Sequence, residues 1–485
     1  MHSLNRYDSF KVFIWSGIER FSVQGLQLIL TIILARLLSP SDYGIIAMLS
    51  IFIALSNAII DSGFSNALIQ KKDVSESDYS TVFFINIILG ILVSSCLFLS
   101  APYIADFYNS PILNKVTRWT SLNLIITSFC LVQRTKMTKE LNFKSQAKIS
   151  LVSTLISGSL GVYCAYIGMG VWSLVIQTLV SNFILTALFW ILSNWKPRLE
   201  FSVKSFRELF SFGSKLMLTG LYGPFFENMY SIFLGKFYKS SILGYYNRAY
   251  TIVQFPSSNL TGILNRVSFP MLSSIQDKSD ELSKKYRIMI RLTVFFVFPM
   301  ISLLFVTAEP FVMKVLGPQW EQSIVIIKLL CLSALLYPII AYNINILLVK
   351  GKSSLHLKLD LIKKIFCLLV LLATIKLGLT IICLGMIVSS LFSYALTAYF
   401  SGKLINYSLL KQLKDLMPSF ICSILISICG EILNILIDNY WLALFVDVLL
   451  LLSLYFMLSF FINKKDFSYI VTTQHPYRKL LVNKA

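Results

Sequence analysis

Two long apolar segments near the start of the chain, residues 11–38 and 42–69, restrict the possible folds more than any other feature of the sequence. Each could cross a hydrocarbon layer roughly 30 Å thick, because an α-helix rises about 1.5 Å per residue. A short turn, Ser39-Pro40-Ser41, joins them, and the basic pair Lys71-Lys72 follows the second segment. The pattern predicts a transmembrane helical hairpin.

Apolar segments of this length recur along the whole chain of 485 residues, of which 56% are hydrophobic. The sequence therefore predicts an all-α polytopic membrane protein with about 14 transmembrane helices. The predicted spans are 11–38, 42–69, 79–107, 111–133, 145–167, 170–193, 207–237, 241–270, 286–314, 323–349, 356–376, 379–402, 416–437 and 440–462.

The basic residues are unevenly distributed, and the formal net charge is +20. If the N-terminus is cytoplasmic, about thirty of the 43 Lys and Arg residues fall in the two tails or in alternate loops, and about six in the opposite loops. This asymmetry predicts a plasma-membrane protein with both termini in the cytoplasm and no nucleic-acid partner. Glu19-Arg20 interrupts the first apolar segment, so we expect it to remain as a span and not to be cleaved as a signal.

A sequence pattern near the outer end of the first hairpin returns about 200 residues later, after the basic segment that follows the sixth span. The matched residues are Leu34, Arg36, Ser41 and Gly44 in the first copy and Leu234, Lys236, Ser241 and Gly244 in the second. The repeat predicts two six-helix lobes of the same orientation, with two further helices appended.

The predicted domains follow from this repeat. Residues 1–195 form the first six-helix lobe, and 196–206 form an amphipathic cytoplasmic connector in the membrane interface. Residues 207–402 form the second lobe. Residues 403–485 contain the two additional transmembrane helices and a cytoplasmic tail.

Polar residues recur at helical steps inside several spans. In the first two spans they include Arg20 with Gln24 and Asn57 with Asp61, and Arg20 and Asp61 lie at similar depths and could form an ion pair. A charged side chain that faces lipid costs several kcal/mol, so these stripes should face protein or water. The stripe on the eighth span consists of Asn247, Thr251, Gln254, Ser258, Thr261 and Asn265.

Several ionisable residues within the spans are candidates for function. The cations are Arg20, Arg118, Lys215, Arg248 and Arg266. A structural ion pair, or snorkelling of a long side chain to the interface, is the alternative for each. An ion-coupled carrier needs an intramembrane acid, and Asp61 and Glu227 are the main candidates, with Asp447 and Glu431 behind them. The eight cysteines form no C-x-x-C pair, so no disulfide or metal framework is expected.

Five stretches carry a resemblance to a known family. They are ARLLSPSDYGIIAM at 35–48, DSGFSNALIQKKD at 61–73, LGYYNRAY at 243–250, RVSFPMLSSIQ at 266–276 and LYPIIAYNINILLVKGKSSLHLKLDLIKK at 336–364. The chain resembles the polysaccharide transporter family of the multidrug/oligosaccharidyl-lipid/polysaccharide exporter superfamily. Within this family it is similar to the flippases for O-antigen, colanic acid and teichuronic acid units.

The resemblance implies two lobes in a V around a central cavity that opens alternately to either side of a bacterial inner membrane. The implied cargo is an oligosaccharide on an undecaprenyl pyrophosphate-type lipid, and a polysaccharide polymerase is an implied partner beside the membrane lipids. Gln24, Asn57, Gln254, Asn265 and the five cations are the expected cavity residues. No cofactor is expected, and a proton or sodium gradient is the candidate energy source. Many members of the family carry an acidic residue where this chain has Tyr230, so a coupling role for that position would not carry over to this chain.

Two other functions stay open at this stage. An ion-coupled antiporter of small molecules, as in the multidrug branch of the superfamily, would have an acidic cavity, whereas the intramembrane charge here is mainly basic. A membrane polysaccharide polymerase would be an enzyme with acidic catalytic residues in a large outer loop, and the longest predicted outer loop spans only residues 309–322.

Overall fold

The computed structural model describes residues 23–463, and every regular element in this range is a helix. The chain divides into two compact units, one ending at Gly244 and the other beginning at Tyr245. The helices of the first unit are α1 Val23–Leu37, α2 Pro40–Asp61, α3 Phe64–Gln70, α4 Glu76–Phe107, α5 Ile112–Ser128, α6 Leu131–Lys139, α7 Phe143–Tyr166, α8 Val171–Leu192, α9 Val203–Glu227 and α10 Met229–Phe237.

The next helix, α11, runs over Ser240–Ser273, so it begins in the first unit and continues into the second. The later helices are α12 Ser279–Val306, α13 Ala308–Phe311, α14 Ser323–Ala334, α15 Tyr337–Val349, α16 Ser353–Thr374, α17 Leu379–Ile405, α18 Leu409–Leu436, α19 Tyr440–Val446 and α20 Leu452–Ile462. A π-helical turn, Asp447–Leu451, joins α19 to α20. The predicted lobe and connector boundaries remain predictions.

Nine helical segments of the described part are long and apolar enough to cross a membrane. They are Pro40–Asp61, Glu76–Phe107, Phe143–Tyr166, Val171–Leu192, Ser279–Val306, Ser323–Val349, Leu379–Ile405, Leu409–Leu436 and Tyr440–Ile462. The chain is therefore an all-helical, multi-pass membrane protein, as the sequence predicts. The total of 14 spans stays a prediction.

Several predicted spans are each divided into two helices, and the causes of two of these breaks are clear from the backbone. The span 42–69 is interrupted at Ser62 and Gly63, whose φ angles of 43° and 72° are left-handed and end the helical hydrogen-bond ladder. The span 207–237 is interrupted at Asn228, whose backbone N–H and side-chain amide both donate to the carbonyl of Pro224. Proline is not sufficient for such a break, because Pro299 lies inside the continuous helix α12.

The turn between α1 and α2 is built by a capping box. The Ser39 hydroxyl accepts the N–H of Asp42 at 3.3 Å, and the Asp42 carboxylate accepts the N–H of Ser39 at 2.9 Å. Pro40 occupies the first helical turn, where no N–H is needed. The segment SPSD therefore starts α2 at a defined residue.

The two copies of the sequence repeat meet at this turn. Gly44 packs against the backbone carbonyl of Ser240, the first residue of α11, and Gly244 packs against that of Pro40, the first residue of α2. The Ser41 and Ser240 hydroxyls lie 2.6 Å apart. Glycine at both positions lets the two backbones approach as small residues do between membrane helices.

The segment after α8 is anchored to the first unit. The Trp195 ring is 3% exposed and packs against Tyr79 and Phe83, and its Nε1 donates to Glu76 at 2.6 Å. The N–H of Ser202 donates to the Thr81 hydroxyl at 3.0 Å. These contacts fix the start of α9 relative to α4.

The C-terminal helices pack within the second unit. Phe295 and Val306 of α12 form one apolar cluster with Ile426 of α18, with Leu451, and with Tyr455 of α20. The Tyr455 hydroxyl donates to the Phe295 carbonyl at 2.9 Å. The last two spans are thus bound to α12 mainly through an apolar contact.

Candidate functional site

A small cavity of about 130 Å³ lies inside the first unit, between α2, α5 and α8, and we call it the polar cavity because six of its twelve lining residues are polar and the others are aliphatic. Asn57, a predicted site residue, lines it from α2 and is itself exposed. The Nδ2 of Asn182 on α8 donates to the Oδ1 of Asn123 on α5 at 3.1 Å. The other polar lining residues are Thr120, Thr127 and Thr178. The cavity offers amides and hydroxyls, which suit water or sugar hydroxyls better than a charged group.

The sequence interpretation missed most of this lining. Thr120, Asn123 and Thr127 recur at steps of three and four along α5, and Thr178 and Asn182 are four apart on α8, so each set shares one helix face. The same periodicity that identified the stripes on the first two spans could have found them. These stripes are shorter than those of the first two spans and contain no charged residue.

Asp61 lies at the end of α2, where its carboxylate accepts hydrogen bonds from the N–H and the hydroxyl of Ser65. The Thr135 hydroxyl of α6 donates to the Ser65 hydroxyl at 3.1 Å. Asp61 thus supports the break between α2 and α3. Its predicted partner Arg20 lies outside the described residues, whereas Gln24 is half-buried in α1.

Lys215 and Glu227 are both exposed side chains of α9. They are 12 positions apart, about 18 Å along the helix, so the structure does not bring them together. The residue after Glu227 does connect to α2, because Asn228 Oδ1 accepts the Ser50 hydroxyl at 2.7 Å.

Arg118 lies on a different face of α5 from the polar cavity. Its guanidinium stands 5.0 Å from the ring centre of Phe98, and it lines a surface pocket with Trp119 and Leu122. The structure therefore does not group Arg118 with Asn57. An exposed cation among apolar and aromatic side chains is the arrangement expected of a residue that reaches the membrane interface.

Lys71 forms the main charged contact at the basic end of the first unit. Its ammonium lies 3.0 Å from Asp78 and 3.1 Å from Glu208, which joins the end of α3 to α4 and α9. Burial acts to lower the pKa of Lys71, but the hydrogen bonds with Asp78 and Glu208 outweigh it and raise the pKa.

Arg248 in the second unit is 6% exposed, and its guanidinium stands 5.4 Å from the ring centre of the fully buried Trp320. Gln254 is half-buried on the same helix, α11. Asn265 accepts a hydrogen bond from the Nδ2 of Asn345 at 2.9 Å. Arg266 lies in α11, and its side chain is outside the description.

A charged stripe that was not predicted as a site occupies the first half of α16. The Asp360 carboxylate lies 3.3 Å from Lys363 and 3.0 Å from Lys364. His356 is one turn before Asp360, so the group follows one helix face. The helical spacing in the sequence would have been enough to find it.

Comparison with known proteins assigns the family. The model of the family described as "Polysaccharide biosynthesis protein" matches residues 33–325. This match covers more than half of the chain. The chain belongs to this family.

Two relatives are similar to this chain over about 70% of its length. The lipopolysaccharide biosynthesis protein WzxC of Escherichia coli K12 is 27% identical over 72% of this chain and 71% of its own length. The teichuronic acid biosynthesis protein TuaB of Bacillus subtilis 168 is 24% identical over 70% of this chain and 71% of its own. These findings support the predicted membership of the polysaccharide transporter family.

Among solved structures, the lipid II flippase MurJ in an inward closed conformation aligns with a TM-score of 0.76. The alignment covers 93% of this chain and 99% of that chain at 14% identity. At this identity the likeness establishes a shared fold. This polysaccharide biosynthesis protein therefore has the helical fold of a membrane transporter.

Proposed function

We propose that this protein is a flippase that moves a lipid-linked oligosaccharide from the cytoplasmic to the outer leaflet of a bacterial inner membrane. The observation that carries the proposal is the family match over residues 33–325. The names of the relatives, which concern lipopolysaccharide and teichuronic acid biosynthesis, support polysaccharide precursors as the class of cargo. The name of the fold neighbour, a lipid II flippase, supports a lipid-linked form of that cargo.

The polar groups inside the membrane segments fit such a cargo. The amides and hydroxyls around Asn57 and Asn182 supply donors and acceptors for sugar hydroxyls without a competing charge. Cations such as Lys215 and Arg248 would interact with the negative charges of a pyrophosphate, as would Arg20 and Arg266. An undecaprenyl-type tail would stay in the bilayer, and a polysaccharide polymerase would use the product.

Two elements of the proposal concern orientation and energy. The positive-inside asymmetry of the sequence supports a cytoplasmic location for both termini. A proton or sodium gradient is the proposed energy source, with Asp61 and Glu227 as the acids first considered for coupling. Asp61 is engaged by Ser65, which would have to release it for this role.

The test is deletion of the gene, followed by identification of the lipid-linked sugar on each leaflet. We expect a lipid-linked oligosaccharide to accumulate on the cytoplasmic leaflet and surface polysaccharide to be lost, both reversed by the intact protein. Normal surface polysaccharide in the deletion strain, with no accumulated precursor, would refute the proposal. Drug efflux or sugar-transfer activity of the purified protein would favour the antiporter or the polymerase.

A further inference from the structure

Asp447 is a carboxylic acid inside the last membrane span. It is fully buried, and it begins the π-helical turn Asp447–Leu451 between α19 and α20. It lies seven positions after Tyr440 at the start of the span, which corresponds to a depth of about 10 Å. An acid at such a depth requires a partner or a proton, because hydrocarbon does not solvate its charge.

No hydrogen bond of ordinary geometry satisfies this acid. Both carboxyl oxygens of Asp447 are buried without a partner, and within residues 23–463 it is the one Asp or Glu of which this is true. The polar side chain that acts on it is Asn434 of α18, whose amide points a donor toward the carboxylate without reaching ordinary hydrogen-bond geometry. The Nδ2 of Asn434 donates to the Val306 carbonyl at 3.1 Å, and its Oδ1 is also buried without a donor.

A proton on Asp447 would satisfy both groups at once. The protonated carboxyl has one O–H donor, and the buried Asn434 Oδ1 is an acceptor without a donor. An ionised carboxylate would instead leave two acceptors and a charge in the contact of α18 with the π-helical turn. The arrangement therefore fits the neutral acid.

The surrounding charges do not favour ionisation of Asp447. Glu431, three residues before Asn434 on α18, is the charged group that acts on Asp447 from that helix, and its charge is of the same sign. Lys328 of α14 is bound to Glu431 at 2.7 and 2.9 Å.

Within residues 23–463, the other helices that pack against the π-helical turn have no cation close to Asp447 in sequence. The last turns of α12, residues 296–306, and the whole of α20 contain no charged residue. At the outer end of α19, Tyr440 donates to Glu309 at 3.3 Å, and the Lys314 ammonium lies 5.7 Å from its ring centre.

We propose that Asp447 is a proton-binding site in the appended pair of C-terminal spans, and that it exchanges its proton with water at the outer end of α19. On binding, an O–H bond forms between a carboxylate oxygen and a proton delivered by hydronium. On release, the proton returns to water and the carboxylate keeps the electron pair. Neither step needs another reactant.

Proton release would alter the packing of these spans. One turn after Asp447, Leu451 is packed so closely against Gly430 of α18 and Val306 of α12 that no Cβ fits on the glycine. A charge next to this dry contact requires either water to enter or the helices to separate. The π-helical turn is a suitable place for such a change, since π-turns in helices are frequent at functional sites.

The test uses the purified full-length protein in lipid nanodiscs and infrared spectroscopy during a pH titration. We expect a band from a protonated carboxyl group at neutral pH that is absent in Asp447→Asn and present in Asp438→Asn, whose side chain is exposed nearby. Asn is isosteric with the neutral acid, so Asp447→Asn should fold. If the wild type has no such band at neutral pH, or if Asp447→Asn retains it, the proposal is wrong.

A second measurement asks whether the proton is used in transport, and this part rests on the proposed function. In vesicles that carry the lipid-linked cargo, we expect a change of pH on the outer side of the membrane to alter the transport rate of the wild type several-fold. The same change should leave the transport rate of Asp447→Asn unaltered. An equal pH response of both proteins would overturn a coupling role. If the wild type moves no cargo, the proposed function fails, while the infrared result still decides proton binding.

Discussion

Gly44 and Gly244 have equivalent positions in the two copies of the sequence repeat, and each packs against the first carbonyl of the other's helix. The contact is therefore nearly reciprocal. Next to the two glycines, the Ser41 and Ser240 hydroxyls form a hydrogen bond at 2.6 Å. The chain thus uses the repeated glycine to bring the starts of α2 and α11 together.

A methyl group at either glycine should separate these two helix ends. We expect Gly44→Ala and Gly244→Ala each to lower the free energy of unfolding by about 1–3 kcal/mol, as overpacking does. The double variant should lose less than the sum of the two, because one methyl group already separates the backbones. Denaturant unfolding in detergent would measure all three.

The matched control is Gly262→Ala in α11, since an added Cβ there meets open space. It should gain up to about 1 kcal/mol from helix propensity. Equal effects of Gly44→Ala and Gly262→Ala would show that the close contact of the helix starts is not important for stability.

Two residues that line the polar cavity of the first unit should affect transport and stability to different extents. Asn57 is exposed at the cavity, so Asn57→Leu should change the free energy of unfolding by less than about 0.5 kcal/mol and still reduce transport. Asn182→Leu should cost about 1–3 kcal/mol, because it leaves the Asn123 amide oxygen without its donor. Surface polysaccharide and thermal stability should be measured on the same variants. Full transport by Asn57→Leu would exclude a contact with the cargo.

Arg248 and Arg118 form a natural pair for comparison. Arg248 is buried over Trp320, whereas Arg118 is exposed beside Phe98. We expect Arg248→Ala to abolish complementation of a deletion strain and Arg118→Ala to retain most of it. Arg248→Lys keeps the charge and should recover part of the activity if the charge itself is used. The reverse order of the two alanine variants, at equal expression, would contradict this assignment.

The ion pair between Lys328 and Glu431 joins α14 to α18. Removal of either partner leaves an unpaired charge inside the membrane, so Lys328→Met or Glu431→Leu should cost about 1–3 kcal/mol, less than a fully buried pair because both groups are partly exposed. The double variant should be more stable than either single one. Thermal unfolding of the three proteins would measure this, and additive losses would argue against it.

Asn343 is the centre of a buried polar network in the second unit. Its Oδ1 accepts the hydroxyls of Tyr286 at 2.7 Å and Ser401 at 2.6 Å, and its Nδ2 donates to Gln412 at 3.3 Å. Asn343→Leu leaves these groups without their partner, so we expect a loss of about 3 kcal/mol or more. Asn345→Leu, which breaks only the bond to Asn265, should cost less. A similar loss for both would mean that the network adds little to a single bond.

The sequence alone determined that this chain is a helical membrane protein and that a short pattern around Gly44 recurs around Gly244. Apolar length and the spacing of Gly44 and Gly244 are local properties, and the hydrocarbon layer forces the backbone to satisfy itself within helices. Helical periodicity also assigned polar residues to a common face, as it did for Asn57. Helical periodicity could not show which residues of different helices contact one another.

Only the tertiary structure decided which of these faces meet. It grouped Asn57 with Asn123 and Asn182, turned Arg118 away from them, and buried both carboxyl oxygens of Asp447 without a hydrogen-bond partner. The physical reason is that the helical repeat determines only which side chains of one helix share a face. The direction in which each face points is determined by packing against helices that are distant in sequence.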